Sequence, residues 1–337
     1  MLTAKDSSTV GHELTKLCRD ILNIIQGGFP LEKNPYDFIG DAVGTDAASS
    51  LAAISSLRES GVIRRIGGVF VSSRLGYTAR LCCGRLAEPL LPIYTEYTSA
   101  ITAVTHNYVR NHSYNIWFTV IGESDDAAGN TVALIEKNTG LKDIKMLKAL
   151  KQYKIRTYFS MNDKAMSPCE PQMAMPDVPH VLDFRTKRII GTVQGDLPCG
   201  TRPYKEWGEV LDLSEDELIA CIKEMKESGL MRRFGAILRH QRAGYTENAM
   251  MVFSVPHEEA DRAAETLIKY DEVSHCYERE AFADFPYTLY AMVHARSPEE
   301  MESQIAKLSS EAGDYGYVVL KSEKELKKTS MKYFCEV

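Results

Sequence analysis

GVIRRIGGVFVSSRLGY, residues 61–77, returns as GLMRRFGAILRHQRAGY at residues 229–245. Gly61/Gly229, Arg64/Arg232, Arg65/Arg233, Gly67/Gly235, Gly76/Gly244 and Tyr77/Tyr245 each stand 168 positions apart, without a gap. Upstream, the same offset joins Pro35/Pro203, Tyr36/Tyr204 and Gly40/Gly208. Downstream it slips by one, so that VTHNYVR (104–110) matches VSHCYER (273–279). A match of this length identifies a tandem duplication, and two related modules in one chain can act as a covalently joined pseudo-dimer. Each copy, at about 165 residues, is long enough to bury its own core.

The 337 residues are 44% hydrophobic and 26% charged with a mean hydropathy of −0.24, a soluble globular composition. No run approaches the roughly 18 apolar residues of a membrane span, and the N-terminal MLTAKDSSTVGHELTK lacks the basic and apolar regions of a signal peptide. The eight cysteines are scattered singles plus Cys82–Cys83, with no C-x-x-C. That pattern predicts neither a zinc site nor a disulfide framework, and a cytoplasmic protein with reduced thiols. A formal net charge of −6 leaves no electrostatic footprint for nucleic acid.

Periodicity and breaker residues divide each copy in two and predict an α+β fold. The expected units are a winged helix-turn-helix at 1–77, a ferredoxin-like ligand domain at 78–160, a linker at 161–177, a second winged helix-turn-helix at 178–245 and a second ferredoxin-like domain at 246–337. Helices are expected at 12–26, 35–43 and 46–59, with Gly61 as the stop, and again at 178–194, 203–211 and 214–227, stopped by Gly229. Ser214 with Glu217 offers a capping box. The strand 62–71 and its return near Tyr77 predict a local two-stranded wing. Strand, helix, strand, strand, helix, strand then follow at 248–255, 258–269, 273–278, 287–294, 298–311 and 315–320, a βαββαβ order. The first copy matches at 78–86, 91–100, 102–109, 114–121, 127–138 and 143–149, with an extra strand near 154–159.

A helix-turn-helix suggests DNA, but its third helices argue otherwise. TDAASSLAAISSLRES holds one basic residue, Arg58, and SEDELIACIKEMKES sets five acids against Lys223 and Lys226. Phosphate neutralisation needs the opposite balance, so DNA is disfavoured as a partner and the motif reads as a retained scaffold.

Chemistry-bearing groups instead crowd THNYVRNHSYNIWFT (105–119) and VSHCYEREAFADFPYTLY (273–290). Strand alternation puts His106, Tyr108 and Arg110 on one face, and His275, Tyr277 and Arg279 on the matching face of the other copy. Arginine holds carboxylates bidentately, and histidine can donate a proton near neutrality. Aromatic strands usually just pack, yet recurrence of His-x-Tyr-x-Arg in both copies favours a site. No acid or cysteine stands at ligand spacing from His106 and His112, so no metal site is expected. The pairs Arg64–Arg65 and Arg232–Arg233 form either a solvated wing or a cationic rim for a ligand with several carboxylates.

A winged helix-turn-helix joined to a ferredoxin-like domain resembles the Lrp/AsnC family. More specifically, GVIRRIGGVF…LGY with THNYVRNHSYNIWFT is similar to one subunit type of the siroheme decarboxylases. GDLP (195–198), RRFGAILRHQRAGYTENAM (232–250), VSHCYERE with FPYTLYAMVH, and LKKTSMKYF (326–334) are similar to the other. The resemblance covers the chain in order. It implies a fused enzyme that removes CO₂ from the C12 and C18 acetates of siroheme to give 12,18-didecarboxysiroheme, for an alternative heme route or heme d1 synthesis. It implies no cofactor, the iron belonging to the substrate, and an intramolecular pseudo-dimer, with pairing of two chains left open. His106 and His275 would act as proton donors or iron-facing groups, with His112 a further acid. Tyr108, Arg110, Tyr114, Asn115, Trp117, Tyr277, Arg279 and Tyr287 would orient the macrocycle, and Arg64, Arg65, Arg232, Arg233 and His240 would bind its propionates. The alternatives on the same architecture are a tetrapyrrole-responsive transcription regulator and a non-catalytic heme chaperone.

Overall fold

The computed structural model describes residues 14–155, 161, 179–239, 242 and 244–335. The expected linker, apart from Met161, and His240 lie outside the described residues. The first copy runs α1 (Lys16–Gly27), α2 (Pro35–Val43), α3 (Ala47–Glu59), β1 (Ile63–Phe70), β2 (Thr78–Arg85), α4 (Leu91–Ala100), β3 (Val104–Arg110), β4 (Ile116–Gly122), α5 (Asp125–Thr139), β5 (Lys142–Leu147) and β6 (Ala149–Ile155). The second runs α6 (Phe184–Val193), α7 (Pro203–Leu211), α8 (Glu215–Glu227), β7 (Met231–Leu238), β8 (Glu247–Phe253), α9 (Ala260–Leu267), β9 (Val273–Arg279), β10 (Leu289–Ala295), α10 (Pro298–Ala312) and β11 (Tyr317–Lys328). Side-chain caps set the helix starts: Asp46 accepts from Ser49 N, Ser214 with Glu217 forms the expected reciprocal box, and Asp183 accepts from Thr186 N, so that α6 begins at Phe184 rather than near residue 178.

The local wing is corrected. β1 pairs antiparallel with β7 of the other copy, with the duplicated Gly67 and Gly235 opposite each other at the pseudo-two-fold axis. The segment after Tyr77 leads straight into β2, which belongs to the large sheet. Burial decides the pairing: Ile63, Ile66 and Phe70 share one apolar core with Met231, Phe234 and Leu238 and with both helical triads. Each triad also reaches the opposite strand, since Phe29 N donates to Phe234 O (2.9 Å) and Leu197 N to Ile66 O (2.7 Å).

The large sheet has nine strands in the order β5-β2-β4-β3-β11-β8-β10-β9-β6. Each set of four follows the ferredoxin-like order, and the copies exchange strand ends. β6 continues from β5 but pairs with β9 of the other copy, and the second half of β11, from Ser322 on, pairs with β3. Lysines fasten both exchanges. Lys154 Nζ donates to Ile268 O (2.9 Å) and Tyr270 O (2.6 Å) beyond the end of α9, and Lys327 Nζ to Ser99 O (2.9 Å) and Ile101 O (2.7 Å) at the end of α4. A cation at a helix C-terminus is favourable on both counts, charge and orphan carbonyls. Separate cores fill the space between each half-sheet and its helices. A fourth, with Cys83, Trp117, Leu147, Val252, Phe285, Tyr290 and Leu320, joins the inner faces of the two copies.

Candidate active site

Strand alternation on β3 is as expected. Asn107 faces the helices, its Oδ1 accepting from Tyr94 OH and its Nδ2 donating to Thr98 Oγ1, both at 3.0 Å and buried. His106, Tyr108 and Arg110 therefore point to the inner face. On β9, Cys276 belongs to the helix-side core, which leaves His275, Tyr277 and Arg279 inside. The rings of His275 and Tyr277 stack, with centroids 6.4 Å apart and an interplanar angle of 19°.

The two inner arginines are engaged by backbone. Arg110 Nη1 donates to Leu320 O (2.6 Å) where β11 passes between copies, and Arg279 Nη1 donates to Leu147 O (2.7 Å) where β5 gives way to β6. Arg279 also lies 4.7 Å from the Tyr277 ring and 5.7 Å from that of Tyr290; Arg110 lies 5.4 Å from Tyr108. Both are buried, and burial lowers both guanidinium pKa values. They hold the exchanged strands at matching points and stand behind the tyrosines.

The wing arginines divide in the same way. Arg233 Nη1 donates to Gln26 O (2.5 Å) and Ala236 O (3.0 Å), and Arg65 Nη2 to Gly68 O (3.2 Å). Arg64 and Arg232 look toward the sheet. Arg64 donates to Ser330 Oγ (2.7 Å), which also accepts from Arg65 Nε (3.0 Å), and its charge reaches Tyr108 and Lys328. The charge of Arg232 reaches His275, Tyr277 and Tyr333. Lys328 sits directly opposite His106 in the β11–β3 ladder, and its charge also reaches His275. These contacts gather Arg64, Arg232, Tyr108, Tyr277, His275 and Lys328, with Ser330 and Tyr333 of the tail, into one charged chamber where the β1–β7 ribbon meets the ends of β3, β9 and β11.

Burial, and then the charges of Arg232, Lys328, Arg279 and Lys154, push the His275 pKa down to about 4. Its imidazole is therefore neutral in the free protein at pH 7. Burial also lowers Lys328 to about 8, with Glu325 opposing, and the ammonium remains the main form at neutrality. Sequence reasoning missed Lys328, Glu325 and Ser330. The signal was present in the ladder: Lys328 and Glu325 occupy the positions that Ile155 and Gln152 hold opposite His275 and Tyr277.

His112, Tyr114, Asn115 and Tyr287 do not join this chamber: His112 lies past the far end of β3, roughly 20 Å along the strand from His106, whereas Trp117 stands on β4 directly opposite Tyr108. His112 stacks on Tyr114 (6.1 Å), and Phe285 packs edge-on against Tyr114, Tyr287 and His112 at 5.8, 4.8 and 5.5 Å. Trp117 Nε1 donates to Tyr114 O (2.7 Å), Tyr114 OH donates to Asp284, and Asn115 exchanges two hydrogen bonds with the backbone of Leu86 (2.8 and 2.9 Å). Burial and the charge of Arg85 lower the His112 pKa. Two open grooves of about 550 and 520 Å³ flank this end, lined in part by Arg85, His112 and Asn115. They lie toward the far end of β3 from His106, and Arg110 lines the second of them. Among the described residues no three His, Cys, Asp or Glu side chains gather as metal ligands, and no helix is long and apolar enough to cross a membrane.

The AsnC-like ligand binding domain matches at residues 74–154 and 242–327, and the siroheme decarboxylase NirDL-like HTH domain at 19–64 and 186–232. A siroheme decarboxylase of Hydrogenobacter thermophilus is 33% identical over 332 residues, covering 97% of this chain and 96% of the relative. The siroheme decarboxylase alpha and beta subunits of Oleidesulfovibrio alaskensis are each 42% identical, over 151 and 149 residues, which is 45% and 44% of this chain and 92% and 94% of each subunit. The crystal structure of the siroheme decarboxylase NirDL in co-complex with an iron-uroporphyrin III analogue superposes with a TM-score of 0.72 at 29% identity, covering 95% of both chains. Duplicated helix-turn-helix and AsnC-like domains, matched end to end, thus make this chain a member of the siroheme decarboxylase family.

Proposed function

We propose that this chain is a cytoplasmic carboxy-lyase that removes the carboxyl groups from the C12 and C18 acetates of siroheme, giving 12,18-didecarboxysiroheme. The observation that carries this reading is the chamber closed by both copies. Arg64, Arg232 and Lys328 face two imidazoles and two tyrosines, with Glu325 as the opposing carboxylate. Such a lining suits a planar ligand with many carboxylates. In support, relatives that carry the name exist both as one full-length chain and as separate alpha and beta subunits, as expected where the duplicated halves form an intramolecular pseudo-dimer. The helix-turn-helix lends no comparable support to a regulator. Arg58, the basic residue of α3, donates to Leu197 O (2.7 Å) and Asp196 (3.2 Å) of the other copy.

Each step converts a ring-bound CH₂–COO⁻ and one proton into CH₃ and CO₂. The C–C bonding pair passes to the CH₂ carbon and forms the new C–H bond, so neither an oxidant nor a further cofactor is required. The cations hold the carboxylates that stay. A reacting carboxylate placed against an imidazole rather than a guanidinium is the less stabilised one, and His106 and His275 deliver the proton, a step typically worth about 10²–10⁴ in rate. The substrate's carboxylates oppose the charges that depress His275 and favour its protonation on binding. Anaerobic incubation with siroheme, read by mass spectrometry, tests the proposal. The wild type loses two CO₂, and His106→Ala and His275→Ala each impair at least one loss. An unchanged mass with wild type rejects the function; full activity in both variants rejects the histidine assignment alone.

A further inference from the structure

Resting on that functional reading, we infer that Lys328 is a substrate-carboxylate anchor that determines which way round the macrocycle enters a pseudo-two-fold chamber. The chamber repeats Arg64 as Arg232, His106 as His275 and Tyr108 as Tyr277. A flat molecule ringed by carboxylates meets nearly the same surface after a half-turn, so something must break the tie. On the exchanged strands the ladder partners differ. Opposite His275 stands Ile155, and opposite His106 stands Lys328; opposite Tyr277 stands Gln152, and opposite Tyr108 stands Glu325. Directly opposed residues share a face at about 5 Å, so Lys328 enters the chamber beside His106 while Ile155 leaves His275 against a methyl group.

Its position is well defined. The next residue, Lys327, turns to the other face and binds carbonyls at the end of α4, Thr329 N donates to Thr105 O (2.8 Å), and Ser330 is held by both Arg64 and Arg65. Lys328 lies where its charge reaches Arg64 on one side and His275 on the other. An ammonium there attracts a carboxylate to the His106 side of the chamber, and the isoleucine cannot do so on the other.

The test compares Lys328→Met, Lys328→Arg and the transplant Ile155→Lys/Lys328→Ile, using siroheme titrated anaerobically by its visible absorbance and the monodecarboxylated intermediate resolved by chromatography and mass spectrometry. Lys327→Met serves as the structural control, lowering thermal stability with siroheme affinity kept. Lys328→Met is expected to bind about 10- to 100-fold more weakly, the loss of one charge-assisted hydrogen bond, and to give both monodecarboxylated isomers where wild type gives one. Lys328→Arg should restore a single isomer, and the transplant should favour the other. Wild-type protein that releases two CO₂ beside Lys328→Met with unchanged affinity and isomer ratio overturns this inference alone. Wild type that neither binds nor decarboxylates siroheme overturns the functional reading and this inference with it.

Discussion

Replacing Arg279 by alanine separates the two roles that its place on the inner face allows. The change removes donation to Leu147 O at 2.7 Å, and the guanidinium 4.7 Å from Tyr277 and 5.7 Å from Tyr290. A hydrogen bond with a charged partner contributes about 1.5–3 kcal/mol net, and desolvated cation–π contact about 1–2 kcal/mol. Relief of the buried ion's desolvation subtracts part of this, which leaves a loss of about 2–4 kcal/mol. Arg110→Ala loses the matching bond to Leu320 O and one ring at 5.4 Å, for about 2–3 kcal/mol by the same reasoning. Urea unfolding followed by circular dichroism should therefore rank wild type above Arg110→Ala above Arg279→Ala. Below the transition, both variants should bind siroheme within about threefold of wild type, since no direct contact of the kind worth tenfold or more is lost. A variant that unfolds with wild type yet loses siroheme tenfold would show that the arginine serves the substrate and that the bond to the exchanged strand is incidental.

Two further perturbations follow from local geometry. Gly229 has φ of 72° and a Cβ there would lie 2.1 Å from Arg74 Nη1, whereas at Gly61, with φ of 71°, it would lie 2.6 Å from the more exposed Arg242. Gly229→Ala should cost about 2–4 kcal/mol and Gly61→Ala about 1–2, from left-handed strain plus, at Gly229, a displaced buried arginine; equal melting temperatures for the two variants would refute the distinction. His275, held near pKa 4 against 6.5 ordinarily, takes up its proton in the unfolded chain first. Its contribution is thus complete above pH 6.5 and is lost as pH falls toward 4, by at most about 3 kcal/mol before allowing for its partial exposure. His275→Gln should flatten the stability profile between pH 6.5 and 4, and a slope identical to wild type would argue against the depressed pKa.

Element order and several helix bounds were legible because they rest on local signals, whereas the exchanged strands were not: β6 runs 149–155 where a strand was expected near 154–159, and β11 continues to 328 where 320 was expected. The helices at 35–43 and 203–211 coincide with α2 and α7, each opened by proline and closed by a left-handed residue. Alternation likewise oriented the inner faces of β3 and β9. What local signals cannot encode is the partner of an unpaired edge. β1 carries the hydrogen-bonding groups of a wing strand, and whether its own return or β7 satisfies them depends on which apolar face is nearest in space. The spatial grouping of the candidate residues was less legible for a related reason. His106 and His112 are six positions apart in one motif, but an extended strand carries them well apart along the sheet, so His112 and Tyr114 pack against Phe285 instead. Lys328, more than two hundred positions away, became the neighbour of His106.

Repetition of a polar residue in both copies therefore has two distinct causes. An interface that crosses a two-fold axis must be satisfied twice, and the repeated pairs show it. Arg110 and Arg279 hold the exchanged strands, Lys154 and Lys327 bind the carbonyls beyond two helices, and Arg74 and Arg242 reciprocally bind the carbonyls of Ser228 and Ser60 at the ends of α8 and α3. Every one of these groups ends on a backbone oxygen of the other copy. Arg64, Arg232, His106, His275, Tyr108 and Tyr277 are repeated too, but Arg64 lies by Tyr108 and Arg232 by His275 and Tyr277, each within its own copy. In the proposed reaction two carboxylates leave from two different rings, and a proton donor in each half would serve one loss each. Because those rings are not equivalent, the reaction also needs a difference between the halves. The repeat breaks at Lys328 against Ile155 and Glu325 against Gln152, on the strand ends that each copy lends to the other, and we propose that this asymmetry is what the substrate reads.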